Sequence, residues 1–386
     1  MREPGFETIC EHAAEEPARF LGAVAPPLFQ NSLFASPDAE TFARRGAAHP
    51  EVYDYTRVAN PTTDILEAKL ALLEKTEAAR CFGSGMAAVT AAILHCVRAG
   101  DHVVAVNTIY GPTRHFLTSY LSQFNVEVTF VRGTDAQEFA DACRPNTKLF
   151  YLESPSTFVF HLQDLAAVSA IARERNVVTA IDNSWASPYF QNPVEFGIDL
   201  VIHSATKYLG GHSDIVAGVV CGPKAHMTEL ASLEGALLGG ILDPFAAWLM
   251  LRGLRTLPVR MDRHQANALR IAEFLQGHRK IAAVHYPGLD SHPQRDLARR
   301  QMRGSSGLLS IELKEGGQAA AYAFINRLRY FHIACSWGGY ESLAIAIPFP
   351  AVKNGEPAVG GGWGARLHIG LETVEDLMED LEQALE

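Results

Sequence analysis

The chain has 386 residues, 20% of them charged and 48% in the apolar AVILMFWYC set, an ordinary globular composition with room for two or three domains. A formal net charge of −10 leaves no surplus of cations to neutralise phosphates, which argues against nucleic acid or an anionic membrane as the main partner. Six scattered cysteines without a C-x-x-C pair argue against a disulfide framework or a structural metal site, and for a reducing compartment. The charged start "MREPGFETIC" lacks the apolar core of a secretory leader, so the expected location is cytoplasmic.

Residues 1–53 carry several prolines and weak periodicity, and read as an N-terminal arm. A helix is expected from Asp64, which can cap it with Glu67 three residues on, ahead of "ILEAKLALLE". "CFGSGMAAVTAAILHCV" reads as a glycine turn feeding a small-residue helix. Then come six apolar runs: "HVVAVN", "VEVTFV", "LFYLES", "VVTAID", "LVIHSA" and "VAGVVCG". Unalternated Val/Ile runs with helices between them imply strands buried on both faces, hence a mostly parallel sheet in an α/β protein. The strand block ends near Pro223. The apolar "ALLGGILDPFAAWLMLRGL" is broken by Asp243, Pro244 and glycines, and reads as buried helices, not a membrane span. With them the larger domain covers 54–252. After Pro287 "GLLSIEL", "AAAYAFINRLRY" and "ARLHIGL" precede an amphipathic helix from about Thr373, so 253–386 reads as a smaller C-terminal α/β domain.

The chemistry concentrates in "LVIHSATKYLGGHSD". Lys207 follows an apolar strand, and open α/β sheets place ligands at the carboxyl ends of their strands. A lysine in that crevice can lose its proton by burial or beside a cation, and then act as an amine nucleophile. "SATK" also fits the S-x-x-K of acyl-transfer enzymes, but their S-D-N and K-T-G partners do not occur. "VVTAIDN" places Asp182 at a neighbouring strand end. Gly83 and Gly85 open a helix whose free N–H groups suit a phosphate, with the hydroxyls of Ser204 and Thr206 in reserve. This turn is neither a Walker A loop nor G-x-G-x-x-G. Arg57, with Tyr55, precedes a capped helix and could clamp an anion. Tyr110 in "NTIYGPT" could stack on a planar ligand. Arg366 in "GARLHIGLE" could take a carboxylate bidentately. Each of these has an ordinary structural reading; together they suit pyridoxal phosphate with an amino acid.

"YTRVANPT", "GSGMAA", "YGPT", "ESPS", "DNSWASPYFQNP", "HSATKYLGGHSD", "SWGGYESL" and "RLHIGLE", in that order over nearly the whole chain, resemble the Cys/Met-metabolism family of pyridoxal-phosphate enzymes. The resemblance implies the type I fold of PLP-dependent transferases (aspartate aminotransferase-like): a large domain with a mostly parallel mixed sheet, and a smaller C-terminal α/β domain. It implies pyridoxal 5'-phosphate as cofactor and no metal. Lys207 would be the Schiff-base lysine and Asp182 the partner of the pyridine nitrogen. Gly85, Met86, Ser204 and Thr206 would cradle the phosphate, and Tyr110 would stack on the ring. Ser336, Trp337 and Arg366 would meet the substrate, as would Tyr55 and Tyr110. Tyr55 and Arg57 would reach into a neighbouring subunit's site, the arm would contact that subunit, and the assembly would be a homotetramer built as a dimer of dimers.

Within the family, Trp337, Pro112 and Thr157 resemble β-lyases, whereas Cys335 departs from the patterns of both groups. The expected activity is therefore that of a cystathionine β-lyase in trans-sulfuration and methionine biosynthesis. Lys207 takes the Cα proton, the β-carbon loses a thiolate whose sulfur Lys207 or Tyr110 can protonate, and cystathionine yields homocysteine, pyruvate and ammonia. The alternative is a γ-eliminating or γ-replacing member: cystathionine γ-lyase, methionine γ-lyase, cystathionine γ-synthase or O-acylhomoserine sulfhydrylase.

Overall fold

The structure, a computed structural model, describes residues 4–44, 53–349, 351–353, 356–358 and 362–386. Residues 1–3 and 45–52 of the expected arm lie outside the described residues. The arm's beginning is bound to its own chain. The helix Phe6–His12 lies on the helix Pro61–Glu74, where fully buried Lys69 donates to the Cys10 carbonyl at 2.7 Å and meets Glu15 at 2.5 Å. Arg255 takes the other oxygen of Glu15 at 2.8 Å. A lysine with no exposed surface is tolerated because its charge is paired and hydrogen-bonded.

The helix expected from Asp64 begins three residues earlier, at Pro61. Asn60 caps it by accepting from the Thr62 N–H at 2.9 Å, and Pro61 fills the first helical position, where no N–H is needed. Asp64 instead accepts from the Tyr53 hydroxyl at 2.7 Å, and Glu67 from the Cys81 N–H at 2.8 Å.

The first sheet holds β1 (Ala78–Phe82), β2 (His102–Val106), β3 (Glu127–Val131), β4 (Thr147–Glu153), β5 (Val178–Asp182), β6 (Leu200–His203) and β7 (Gly218–Gly222). Their order is β1-β7-β6-β5-β4-β2-β3. From β3 to β6 every pairing is parallel; β7 is antiparallel to both neighbours. The six apolar runs are thus all strands of one mostly parallel sheet. β1, "AARCF", has no β-branched residue and an arginine at its centre, so its pattern does not announce it. The inner strands are apolar on both faces because helices cover both: Val103, Val104, Phe150, Leu152, Ile181 and Val201 are fully buried. The chain runs from β2 out to β3 and returns on the other side of β2 as β4. That reversal of order opens a crevice at the carboxyl ends of β2 and β4.

The second sheet contains β8 (Ile281–His285), β9 (Leu308–Leu313), β10 (His332–Ile333) and β11 (Leu343–Pro348). A two-stranded ribbon, β12 (Ala351–Lys353) with β13 (Glu356–Ala358), then precedes β14 (Trp363–His368). The order is β10-β11-β14-β9-β8, antiparallel except for β10 with β11. Its covering helices are Leu257–Gln276, Gly317–Arg327 and Val374–Leu385. The last follows Thr373, as expected, and buries Leu377, Leu381 and Leu385 at i, i+4 and i+8. No helix among the described residues is long and apolar enough to cross a membrane. The six cysteines are all free, and no group of three or more metal-ligating side chains occurs among the described residues.

Candidate active site

Four parallel strands deliver their C-terminal ends to one crevice. β2 runs on to Tyr110, β4 ends in Glu153, β5 ends in Asp182, and β6 leads into Ser204–Lys207. The second sheet closes the crevice from the other side with Ser336, Trp337 and Arg366.

Lys207 sits in a tight turn after β6, its N–H donating to the Ser204 carbonyl at 3.0 Å. Its ammonium donates to the Ser336 hydroxyl at 3.0 Å and lies 5.3 Å from the centre of the Trp337 ring. No carboxylate among the described residues forms an ion pair with it. Burial, with the Arg366 guanidinium nearby, lowers the lysine from its ordinary value to about 8 against the weaker pull of Cys335 and Asp182. That brings the neutral amine, which a nucleophile or base requires, to roughly a tenth of the population at pH 7, against a few in ten thousand for an ordinary lysine.

Asp182 is partly accessible from the crevice, and it accepts from the Ser184 N–H at 2.9 Å. Burial raises its pKa, while Ser184, His203 and Lys207 pull it back toward the ionised form. Behind it lies a network unannounced by any motif. Glu74, the last residue of its helix, contacts the His203 ring Nε2. It also accepts from Asn183 at 3.2 Å and from Asn192 at 3.4 Å. Glu74, Asn183, Asn192 and His203 are all buried.

The helix Gly85–Cys96 opens toward Ser204. Ser84 caps it, accepting from the Ala87 N–H at 3.0 Å. The N–H groups of Gly85 and Met86 have no acceptor among the described residues. A Cβ on Gly85 would stand 2.6 Å from the Ser204 hydroxyl, so glycine is required by the close approach. Thr206 departs from the expectation: its hydroxyl donates to the Ala217 carbonyl at 3.1 Å and accepts from the Ala217 N–H at 3.0 Å. With its single proton committed, it has only a lone pair for a ligand unless it turns.

Arg366 lies in β14, between Ile345 of β11 and Ser310 of β9. It donates to the Ser336 carbonyl at 3.1 Å, and Cys335 lies beside it. The Ser336–Gly339 loop is clamped. Gly338 donates to His368 Nε2 at 3.0 Å, and burial holds that imidazole down to about 4, leaving it neutral as an acceptor. Trp337 rests on Tyr208 with centroids 5.5 Å apart.

Tyr110 stands ahead of the helix Gly111–His115, 47% exposed, in the field of Cys335, Asp182 and Arg366. Its N–H donates to Glu153 Oε2 at 2.7 Å. Glu153 was not singled out in the sequence. The one available hint was its place next to "SPS", at the end of a strand parallel to that of Asp182. Tyr55 and Arg57 are not brought into this crevice. Arg57 lies 5.4 Å from the Tyr55 ring and donates to the Ala236 carbonyl of its own chain.

Pyridoxal phosphate fits these residues. Free N–H groups and Ser204 suit a phosphate, Asp182 suits a ring nitrogen, Tyr110 offers a half-exposed face, and Lys207 offers an unpaired amine for the aldehyde.

The model of the family "Cys/Met metabolism PLP-dependent enzyme" matches residues 7–386. An L-methionine γ-lyase of Treponema denticola is 42% identical over 100% of this chain and 98% of its own. A cystathionine β-lyase of Lactococcus lactis is 38% identical over 99% of both. Among solved structures, metB from Corynebacterium glutamicum superposes with a TM-score of 0.90 at 38% identity, over 99% of this chain and 98% of that one.

Proposed function

The chain belongs to the Cys/Met-metabolism PLP-dependent enzymes, and from that premise we propose that it is a carbon–sulfur lyase working by γ-elimination on a sulfur-bearing amino acid. The β-lyase expectation rested on Trp337, Pro112 and Thr157. The methionine γ-lyase relative, at 42% against 38% for the β-lyase, shifts the preference to the alternative. One observation carries the lyase reading: Lys207 Nζ, without an ion-pair partner among the described residues, 3.0 Å from the Ser336 hydroxyl and beside Arg366.

When bound, pyridoxal phosphate supplies an electron sink for charge developing at the substrate's α-carbon. Gly85, Met86 and Ser204 would hold its phosphate, Asp182 its ring nitrogen, Tyr110 its face and Lys207 its aldehyde. Arg366 binds the substrate carboxylate, and its bond to the Ser336 carbonyl fixes the guanidinium's orientation. Lys207 in its neutral form accepts the Cα proton. A γ-leaving group requires a second proton from Cβ, and an amine tethered only to a serine hydroxyl can reach both carbons by rotation of its stem. Tyr110 stands where it can return a proton to the departing sulfur. Methionine and water would give methanethiol, 2-oxobutyrate and ammonia.

A β-eliminating reading is favoured by one contact, the Trp337 indole over the Lys207 ammonium, which narrows the crevice beyond the reacting carbons. The keto acid decides between them. L-methionine and L-cystathionine should yield 2-oxobutyrate; pyruvate as the sole keto acid from cystathionine overturns the γ reading. Turnover only with an added thiol and an O-acylated homoserine would indicate γ-replacement. Tyr55 and Arg57, turned away from their own crevice, are assigned to that of a second copy in a dimer that pairs into a tetramer. Inactive Lys207→Ala and Arg57→Ala subunits should then complement each other when mixed, and failure to do so breaks the assignment.

A further inference from the structure

Two carboxyl groups end neighbouring strands in register, Glu153 on β4 beside Asp182 on β5. Glu153 is only 8% exposed. Its Oε2 accepts the Tyr110 N–H at 2.7 Å, and its Oε1 lies 2.5 Å from the Thr157 hydroxyl. Thr157 in turn donates its N–H to the Thr108 carbonyl at 2.9 Å. One side chain thus laces together the end of β4, the loop that carries Tyr110 and the loop after β4. Tyr110 has little else to hold it, since its hydroxyl has no hydrogen-bond partner among the described residues.

A buried carboxylate beside a partly buried one makes a pair that cannot both ionise cheaply. Asp182 has the Ser184 N–H, His203 and Lys207 to support its charge. Glu153 faces Asp182 from β5, Tyr110 from the preceding loop and Tyr151 from its own strand. No lysine, arginine or histidine pairs with it among the described residues.

We propose that Glu153 is a positioning residue for the lyase reaction. Through the Tyr110 N–H and the Thr157 hydroxyl it sets the Tyr110 ring over the cofactor, and it does so as a neutral acid, leaving Asp182 the single charged carboxylate of the pair. The assignment rests on the function proposed above for Tyr110 and Asp182. Burial and the charge of Asp182 push Glu153 up to about 8, which agrees with the neutral form at neutral pH.

Glutamine at 153 is neutral like the protonated acid: its amide oxygen accepts from Tyr110, and its NH2 stands where the acid O–H would, so the Thr157 hydroxyl turns from donor to acceptor. The test compares holoenzymes of wild type, Glu153→Ala and Glu153→Gln by cofactor circular dichroism from pH 6 to 9, by kcat and KM, and by the dissociation constant of pyridoxal phosphate. E153A should lower kcat about 10-fold or more with less change in KM, and alter the cofactor's dichroism at pH 7. E153Q should recover most of that loss. The alkaline change in the wild-type dichroism should be absent in E153Q, or displaced by about one pH unit or more. An E153Q profile superimposable on wild type, or an E153A protein with unchanged dichroism and kcat, overturns the proposal. Should E153A not fold, Thr157→Val removes one tie alone; it should alter the dichroism and lower kcat about 3-fold, and an unaltered spectrum again overturns the assignment. Dichroism and cofactor affinity are independent of which keto acid is made, so a wild type that releases no keto acid breaks the function reading without deciding this one.

Discussion

The two walls of the crevice are built by different rules. On the large-sheet side, parallel strands buried on both faces stop at the crevice, and at each stop stands one polar residue: Glu153, Asp182, Ser204. On the small-sheet side, Arg366 emerges from the face of an antiparallel strand, and Ser336 and Trp337 ride on a loop. The first wall has no freedom to vary its chemistry without disturbing its core. The second can exchange the side chain at 335 with little cost to packing, since Cys335 is exposed. We read the first as the seat of the cofactor and the second as the reader of the substrate.

The largest effect should come from the first wall. Lys207→Ala should lower turnover on the order of 10⁴-fold or more and abolish the covalently held cofactor's absorbance. A variant with near-normal turnover would end the distinction between the walls. The second wall should fail in a different parameter. Arg366→Ala should raise KM about 10²-fold, the loss of roughly 3 kcal/mol of charge-assisted hydrogen bonding to a carboxylate, with cofactor affinity intact. Loss of the cofactor in that variant would show that the walls are not separable. Glu74→Ala removes one partner of the buried contact with His203 and should cost about 3 kcal/mol in denaturant unfolding, with a weaker effect on KM. The fourth effect is one of pH. Lys207 is lowered to about 8, so its amine is protonated below that value and neutral above it. Capture of pyridoxal phosphate by the apoprotein should therefore accelerate as pH rises through about 8, and a rate flat from pH 6 to 9 contradicts this. Smallest in rate is Trp337→Leu, which should change turnover only a few-fold while moving the ratio of 2-oxobutyrate to pyruvate from cystathionine.

The same contrast explains what the sequence discloses. Lys207 and Asp182 are legible because each follows a run of apolar strand residues, where a polar residue points to a ligand, and the Gly85 turn because its glycines lead into a small-residue helix. Arg366 and Tyr110 needed the company of the others, since an arginine in a strand or a tyrosine in a loop is commonplace. Glu74, His203 and Glu153 were illegible: their partners lie 129 positions away for Glu74 with His203 and 43 for Glu153 with Tyr110, and only the fold brings them into contact. The helix starts ahead of the Asp64-x-x-Glu67 pattern because Asn60-Pro61 is a cap followed by the residue best suited to a first turn. Thr206 shows the limit from the other side, since its motif position says nothing of a hydroxyl bound at both ends to Ala217.

Gly338 ties the two walls mechanically. It holds φ at +85°, and a Cβ there would stand 2.7 Å from the Tyr208 nitrogen and 2.8 Å from the Lys207 carbonyl carbon. The Ser336–Gly339 loop therefore lies directly on the backbone of Lys207 and Tyr208. Evolution cannot lengthen or bulge that loop to admit a new side chain without dislodging the lysine. A new preference on this scaffold is reached more readily by replacing a side chain beside that glycine than by remodelling the loop.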